Sequence, residues 1–195
     1  YSFEKLINCN LFKNLTIGID PKLFTNTQIK NYFLKYNKIK HIENNLIDEI
    51  KNQKKNNSIP FFSLGKNIVG ESVNSKLNKV INYLKKNNSD YIFISAPENV
   101  AWTLNIRGGD GPNSPIPNSR LIISKSKKIL LISNQKKCSK LLKNQIIKKD
   151  EFLDTNDLPK RILKLKGKNF IIDDKSCSIF FEKLINSKFK IINRE

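Results

Sequence analysis

A chain of 195 residues, 38% of them hydrophobic, suits one large domain or a domain plus part of another, with enough apolar mass for a real core. Its formal charge of +19 is nearly all lysine, spread evenly among asparagine and isoleucine, with only four arginines and with short runs such as Lys54-Lys55, Lys85-Lys86 and Lys148-Lys149. That pattern reads as a solvated surface and argues against a nucleic-acid face, which clusters its cations and favours arginine; nor does any apolar run approach the roughly 20 residues of a membrane helix.

The chain opens Tyr-Ser-Phe-Glu, without the basic-then-apolar start of a secretory signal, and it contains no methionine. It is therefore expected to be a piece of a longer polypeptide. Cys9, Cys138 and Cys177 are odd in number and widely spaced, as free thiols of a reducing cytoplasm would be.

In chain order, Ile17-Gly18-Ile19-Asp20-Pro21 reads as a strand closed by an Asp turn. A helix over 27–36 follows, because Ile29, Tyr32, Phe33 and Tyr36 recur at i, i+3, i+4 and i+7 as one apolar stripe. Lys38-Ile39-Lys40-His41-Ile42 is a second strand, in which the lone His41 is more readily structural than a metal ligand. The polar, aperiodic stretch from Asn52 to Pro60 reads as a linker. Ser72 then stands where a helix cap belongs, ahead of Val73, Leu77, Val80, Ile81 and Leu84 on one face.

Tyr91-Ile92-Phe93-Ile94 suits a buried strand, and Leu121–Ile123 and Ile129–Ile132 flank Ser124-Lys125-Ser126-Lys127 as a hairpin. Helical content is expected within 141–147 and 158–165. Phe170-Ile171-Ile172-Asp173-Asp174 repeats the strand and Asp turn, followed by a stripe of Ile179, Phe180 and Leu184 and a strand over 189–192. This unit resembles the first at an offset of about 150 residues, the scale of one domain, so the chain reads as the tail of one α/β domain and a full second copy. Strands separated by helices imply a mixed sheet covered on both faces.

The stretch 95–117 departs from this background. It holds the only tryptophan, Trp102, and half of the chain's glycines and prolines. Residues 98–104 can form a short helix carrying Trp102, and Gly108-Gly109 and Gly111-Pro112 permit backbone conformations other residues avoid. Arg107 and Asp110 flank the glycines, close enough to pair or to face a shared cleft. Two readings stay open: a buried Trp over the sheet with an Arg–Asp pair locking the turn, or a contact surface. No phosphate cradle, metal-ligand spacing or nucleophile arrangement is present, so by its own residues the chain carries no catalytic chemistry.

Gly70-Glu71-Ser72, Lys76 and the helix around it, Asn105-Ile106-Arg107-Gly108-Gly109-Asp110, and Ser114-Pro115-Ile116-Pro117 with the hairpin after it closely resemble one known pattern. It is the middle domain of three-domain Xaa-Pro aminopeptidases, the aminopeptidase P branch of the creatinase/prolidase superfamily. Gly18-Ile19-Asp20-Pro21 and Asn45-Leu46-Ile47-Asp48-Glu49-Ile50 look like the end of that family's first domain. The similarity runs over nearly the whole chain in the family's order.

The resemblance implies an α/β fold, creatinase N-terminal-like with a ribonuclease H-like motif: a mixed sheet of about six strands flanked by helices on both faces. Residues 1–57 would be the C-terminal part of a first such domain and 58–195 a complete second. The implied function is that of a non-catalytic N-terminal and middle region of a metallopeptidase, one that releases the N-terminal residue before a penultimate proline. This region would shape substrate access and contribute dimer contacts. The catalytic pita-bread domain, absent from this sequence, would follow Glu195 and carry a dinuclear manganese centre, with no cofactor in the present chain. Implied partners are that domain, a second copy in a homodimer and a peptide with a penultimate proline, in the cytoplasm.

Trp102, Asn105, Arg107, Asp110 and Asn113 fall on the motif and are the candidates for the substrate mouth. Many relatives have histidine where Asn113 stands and an aromatic where Arg120 stands, and Lys51 with a lysine–asparagine tract replaces the usual Trp and Arg-Pro. The alternative is a stand-alone creatinase N-terminal-like module for binding or dimerisation. A creatinase-like amidinohydrolase or prolidase parent fits less well, because those relatives usually carry a single N-terminal domain.

Overall fold

The computed structural model describes residues 12–50, 59–65, 67–111 and 113–193. Cys9, Lys51, Lys54-Lys55, Pro112 and most of the expected linker lie outside the described residues. The chain divides into two compact units: of the described residues, the first holds 12–50 with 174–183, and the second holds 59–173 with 184–193.

In the first unit, β1 (Thr16–Ile19) and β2 (Lys38–His41) pair in parallel, Thr16 against Lys38 and Ile19 against His41. The helix between them, α1 (Asn26–Tyr32), starts on a capping box. Thr25 Oγ1 accepts from the Gln28 N–H at 3.1 Å, and Gln28 Oε1 accepts from the Thr25 N–H at 3.0 Å. It is shorter than the expected 27–36, because the chain tightens into turns over 33–36 and Asn37 Oδ1 takes the Leu15 N–H. Ile29 and Phe33 nevertheless keep the inner stripe and pack with Ile19 and Ile179, while Tyr32 is exposed. His41 sits beside Lys183, Nδ1 to Nζ 3.1 Å, which is a structural contact. A short helix, α2 (Leu46–Ile50), leaves Leu46, Ile47 and Ile50 all exposed.

The second unit is built on a six-stranded mixed sheet of order β10-β9-β4-β6-β7-β8. Its strands are β4 (Tyr91–Ile94), β6 (Arg120–Ser124), β7 (Ile129–Ser133), β8 (Phe152–Asp154), β9 (Asn169–Ile172) and β10 (Lys190–Asn193). The expected hairpin is β6–β7, with Leu121 opposite Leu131 and Lys127 at φ 67° in the turn. β4 runs antiparallel to β6 and parallel to β9, and β10 lies parallel to β9. The β9–β10 unit thus repeats the parallel strand–helix–strand pattern of β1–β2, as the sequence likeness of the two segments suggested.

Four of the five residues of β6 and all of β7 are buried. Because side chains alternate across a strand, both faces of the sheet are covered. One face packs Leu121, Ile123, Ile129 and Leu131 against Leu77 of α3 (Val73–Lys86), Val100 and Leu104 of α4 (Pro97–Leu104), and Cys138 and Leu141 of α5 (Gln135–Lys143). The other carries Phe93, Ile122 and Ile132, and α6 (Leu158–Lys164) buries Leu158 and Ile162.

Three expectations shift. The helix expected at 141–147 is α5, beginning at Gln135 because Asn134 Oδ1 caps it through the Lys136 N–H. In α7 (Ile179–Asn186) the fully buried positions are Ile179, Phe181 and Ile185, and Phe180 and Leu184 are only half-buried. The pair β3 (Phe62–Ser63) and β5 (Ile106–Arg107) was not foreseen, since two-residue strands have no periodicity to detect.

Candidate functional site

The site is assembled where α4 ends against the start of α3. Pro97 opens α4 at its first turn, where no amide partner is lost. The helix stops at Asn105, which takes the left-handed conformation, φ 53°, that asparagine tolerates better than most residues. Its side chain is spent locally. Asn105 Nδ2 donates to the Glu71 carbonyl at 2.9 Å, and Oδ1 accepts from Lys76 Nζ at 2.6 Å.

Lys76 is the residue whose part the pattern reading missed. Only 4% exposed, it donates a second bond to the Trp102 carbonyl at 2.6 Å, and its Nζ stands 4.2 Å from the Trp102 ring centroid. Burial lowers the Lys76 pKa, Glu71 opposes that, and Arg107 and Lys79 reinforce it. Glu71 in turn sits below the usual carboxylate range because Lys79 and Ser75 donate to it. The available signal was position: Lys76 lies three residues after Val73 and four before Val80, on the apolar stripe of α3. A charge on that stripe has to find partners.

Arg107 follows two residues after Asn105, in β5. Its Nη1 donates to the carbonyls of Ile106 at 2.9 Å and Ala101 at 3.3 Å. Two cations, Lys76 and Arg107, therefore neutralise the carbonyl end of α4, where the helix dipole is negative.

Asp110 does not pair with Arg107. Its Oδ2 accepts the Asn118 N–H at 2.6 Å, and its Oδ1 pairs with Lys137 of α5. The turn is locked by a carboxylate as expected, but with a lysine 27 positions away that no local pattern marks. Gly108 donates to the Pro115 carbonyl at 2.9 Å, and a Cβ there would stand 2.8 Å from both Phe61 Cδ1 and Pro117 Cα. Glycine is required by that close approach.

Trp102 does not lie buried over the sheet; it is 53% exposed, with one face on the Lys76 ammonium. Asn113 is exposed at the tip, between the bridged residues Gly111 and Ser114. The five candidates thus divide. Trp102, Asn105 and Arg107 are brought together at the end of α4, Asp110 is committed to the loop and α5, and Asn113 stands apart at the tip.

Among the described residues no group of three or more His, Cys, Asp or Glu could hold a metal ion, and Asp110 is already engaged. The donor set of the described residues does not fit a dinuclear metal centre. Likewise no helix among the described residues is long and apolar enough to cross a membrane.

Residues 52–195 match the profile of the Creatinase/Prolidase N-terminal domain. The chain belongs to this family. As a creatinase/prolidase N-terminal domain it has named relatives among peptidases. It is 31% identical over 180 residues, 82% of this chain, to the probable Xaa-Pro aminopeptidase P of Fusarium vanettenii, and covers 29% of that protein. It is 30% identical over 133 residues, 65% of this chain, to the Xaa-Pro aminopeptidase ApepP of Drosophila melanogaster, and covers 22% of it. Its fold matches the crystal structure of X-prolyl aminopeptidase from Caenorhabditis elegans, described as a cytosolic enzyme with a di-nuclear active site. That match has a TM-score of 0.76 at 17% identity, covering 100% of this chain and 34% of that one. The creatinase N-terminal region described here thus spans between about a fifth and a third of the relatives it matches.

Proposed function

We propose that this chain is the non-catalytic N-terminal and middle region of an Xaa-Pro aminopeptidase, a metallopeptidase that releases the residue before a penultimate proline. The observation that carries the reading is the likeness to an Xaa-Pro aminopeptidase P running through 82% of the chain. On this reading residues 1–57 end a first creatinase N-terminal-like domain and 58–195 form a complete second. The exposed Leu46, Ile47 and Ile50 and the two-stranded sheet β1–β2 support it, because so small a sheet is marginal alone in water. The pita-bread domain downstream supplies the reaction, with a dinuclear centre, manganese by family habit, and the enzyme works as a cytoplasmic homodimer.

The stretch 95–117 then serves the substrate mouth as a rigid wall. Asn105, Arg107 and Asp110 fix its backbone, and Trp102 and Asn113 are the side chains left to meet a peptide. The test joins this region to the catalytic domain and assays an Xaa-Pro peptide with manganese. The region alone should give no hydrolysis, and the joined protein should turn over. Robust turnover by the region alone overturns the proposal, and an inert, correctly folded joined protein favours the stand-alone module. Within the active joined protein, Trp102→Ala and Asn113→Ala should raise KM more than they lower kcat. Unchanged kinetics would make the loop scaffold only.

A further inference from the structure

A cleft of about 470 Å³ opens in the second unit between the β6–β7 hairpin and α6, within the roughly 300–1,000 Å³ of small-molecule sites. Its floor is apolar: Ile122 and Leu130, both buried, with the Tyr91 ring beside them. Hydroxyls edge that floor. Tyr91 Oη donates to the Lys166 carbonyl at 2.7 Å, and the Ser124 and Ser126 Oγ atoms lie 3.0 Å apart.

Five cations line the cleft from two segments distant in sequence: Lys127 and Lys128 at the hairpin, and Arg161, Lys164 and Lys166 from α6 and the chain after it. Two carboxylates, Asp150 and Glu151, face them, and Glu151 already accepts the Lys148 N–H at 2.9 Å. Among the described residues none of the five charged ends is held in an ion pair or side-chain hydrogen bond. The carbonyl end of α6 offsets roughly half a charge of this excess. The field in the cleft remains positive.

An evenly spread lysine surface does not account for this arrangement. Arg161 is one of only four arginines in the chain, and its charge reaches the Tyr91 hydroxyl. Lys127 holds its place at φ 67°, a conformation glycine or asparagine adopts with less strain. Several unpaired cations above an apolar floor suit a dianion better than a monoanion, and a guanidinium fork matches phosphate oxygens. We propose that this cleft binds a phosphomonoester carried on a ring-sized apolar body: the phosphate meets Arg161 and the lysines, and the body lies on Ile122, Leu130 and Tyr91. The inference is independent of the peptidase reading.

The test titrates the 195-residue chain with phenyl phosphate, inorganic phosphate and phenol at about 0.1 M salt, following amide shifts by NMR. Phenyl phosphate should saturate, with shifts centred on Tyr91, Ile122, Ser124, Lys128 and Arg161, and bind at least about fivefold tighter than inorganic phosphate or phenol. Arg161→Ala should weaken it by about fivefold or more, and Lys127→Gly, which keeps the turn conformation, should weaken it too. Lys140→Ala, an equal loss of charge outside the cleft, should leave it unchanged. Shifts scattered over the lysine surface, inorganic phosphate binding as well as phenyl phosphate, or a folded Arg161→Ala that binds like the parent would overturn the proposal.

Discussion

Replacing Lys76 by methionine isolates the energetics of the buried ammonium. Methionine keeps much of the length and apolar stem but removes the bonds to the Trp102 carbonyl and Asn105 Oδ1, both 2.6 Å. Each charge-assisted bond is worth about 1.5–3 kcal/mol, and stranding a buried acceptor costs about 1–3 kcal/mol. Against this, the ammonium no longer has to be stripped of water, a cost of several kcal/mol. The balance is a loss of about 2–4 kcal/mol, or roughly 5–12 °C in Tm for a domain of this size. Urea unfolding followed by circular dichroism measures it. Asn105→Gly keeps the left-handed turn while removing the same partner, so the two substitutions together should cost at least about 1 kcal/mol less than their sum. Additive losses, or a Lys76→Met change below about 0.5 kcal/mol, would refute the view that this cation ties α3 to α4.

Gly108→Ala should cost about 1–3 kcal/mol, because its Cβ would stand 2.8 Å from the Pro117 Cα and something in the backbone must move. Gly109→Ala, whose nearest neighbours are side-chain atoms of Ile59, Cδ1 at 2.8 Å and Cβ at 3.0 Å, should cost less in the same thermal melts, because no backbone atom stands as close as the Pro117 Cα does to Gly108. Burial pushes the Cys138 thiol up to about 12, so a thiol reagent at pH 8 should label it only as fast as the protein opens, and labelling at the rate of a free thiol would contradict the packing. Above the unfolded value of 9.0 the same shift makes stability fall with pH, since the unfolded thiol ionises while the native one stays neutral. For Asp90, burial raises the pKa, but the bonds from Lys125, Lys168 N–H and Asn169 N–H outweigh it and leave a net lowering. Its contribution is therefore complete above the unfolded value of 3.8 and disappears as pH falls through the lower native one. The stability gap between the parent and Asp90→Asn should close in acid, and a gap constant from pH 6 to pH 2 would be inconsistent with that lowering.

What the sequence made legible follows from periodicity and turn chemistry. The α3 stripe, the β6–β7 hairpin and the strand at Tyr91–Ile94 all appear where expected, because each is long enough for its own pattern to show. The six-stranded sheet followed from the alternation of such segments and from the family likeness. The site was legible in part. Arg107 and Asp110 stand out in the break in composition and Asn105 in the family likeness; their partners do not. Asp110 finds Lys137 across 27 positions and Asn105 finds Glu71 across 34, and no local spacing encodes a contact set by tertiary packing. Of the two readings open for Trp102, burial over the sheet fails for a related reason: a lone aromatic on a short helix looks buried until the cation beneath it is known.

The same partners decide what the loop can do. A side chain already holding two backbone or side-chain partners gains little by turning to a peptide, because it must first leave buried groups unpaired. Asn105 and Asp110 are in that position, and Arg107 nearly so, with two carbonyls on one guanidinium nitrogen. Trp102 is not. Its exposed indole face costs little entropy to dock on, its other face is already stiffened by Lys76, and the backbone that carries it is fixed from both sides. If the intact enzyme uses this loop, ligand contact should therefore depend on Trp102 directly and on Arg107 or Asp110 only through loop order. Arg107→Ala should raise KM and lower the melting temperature together, whereas Trp102→Ala should raise KM with the melting temperature nearly unchanged. The reverse assignment of the two effects would show that the guanidinium, rather than the indole, reaches the peptide.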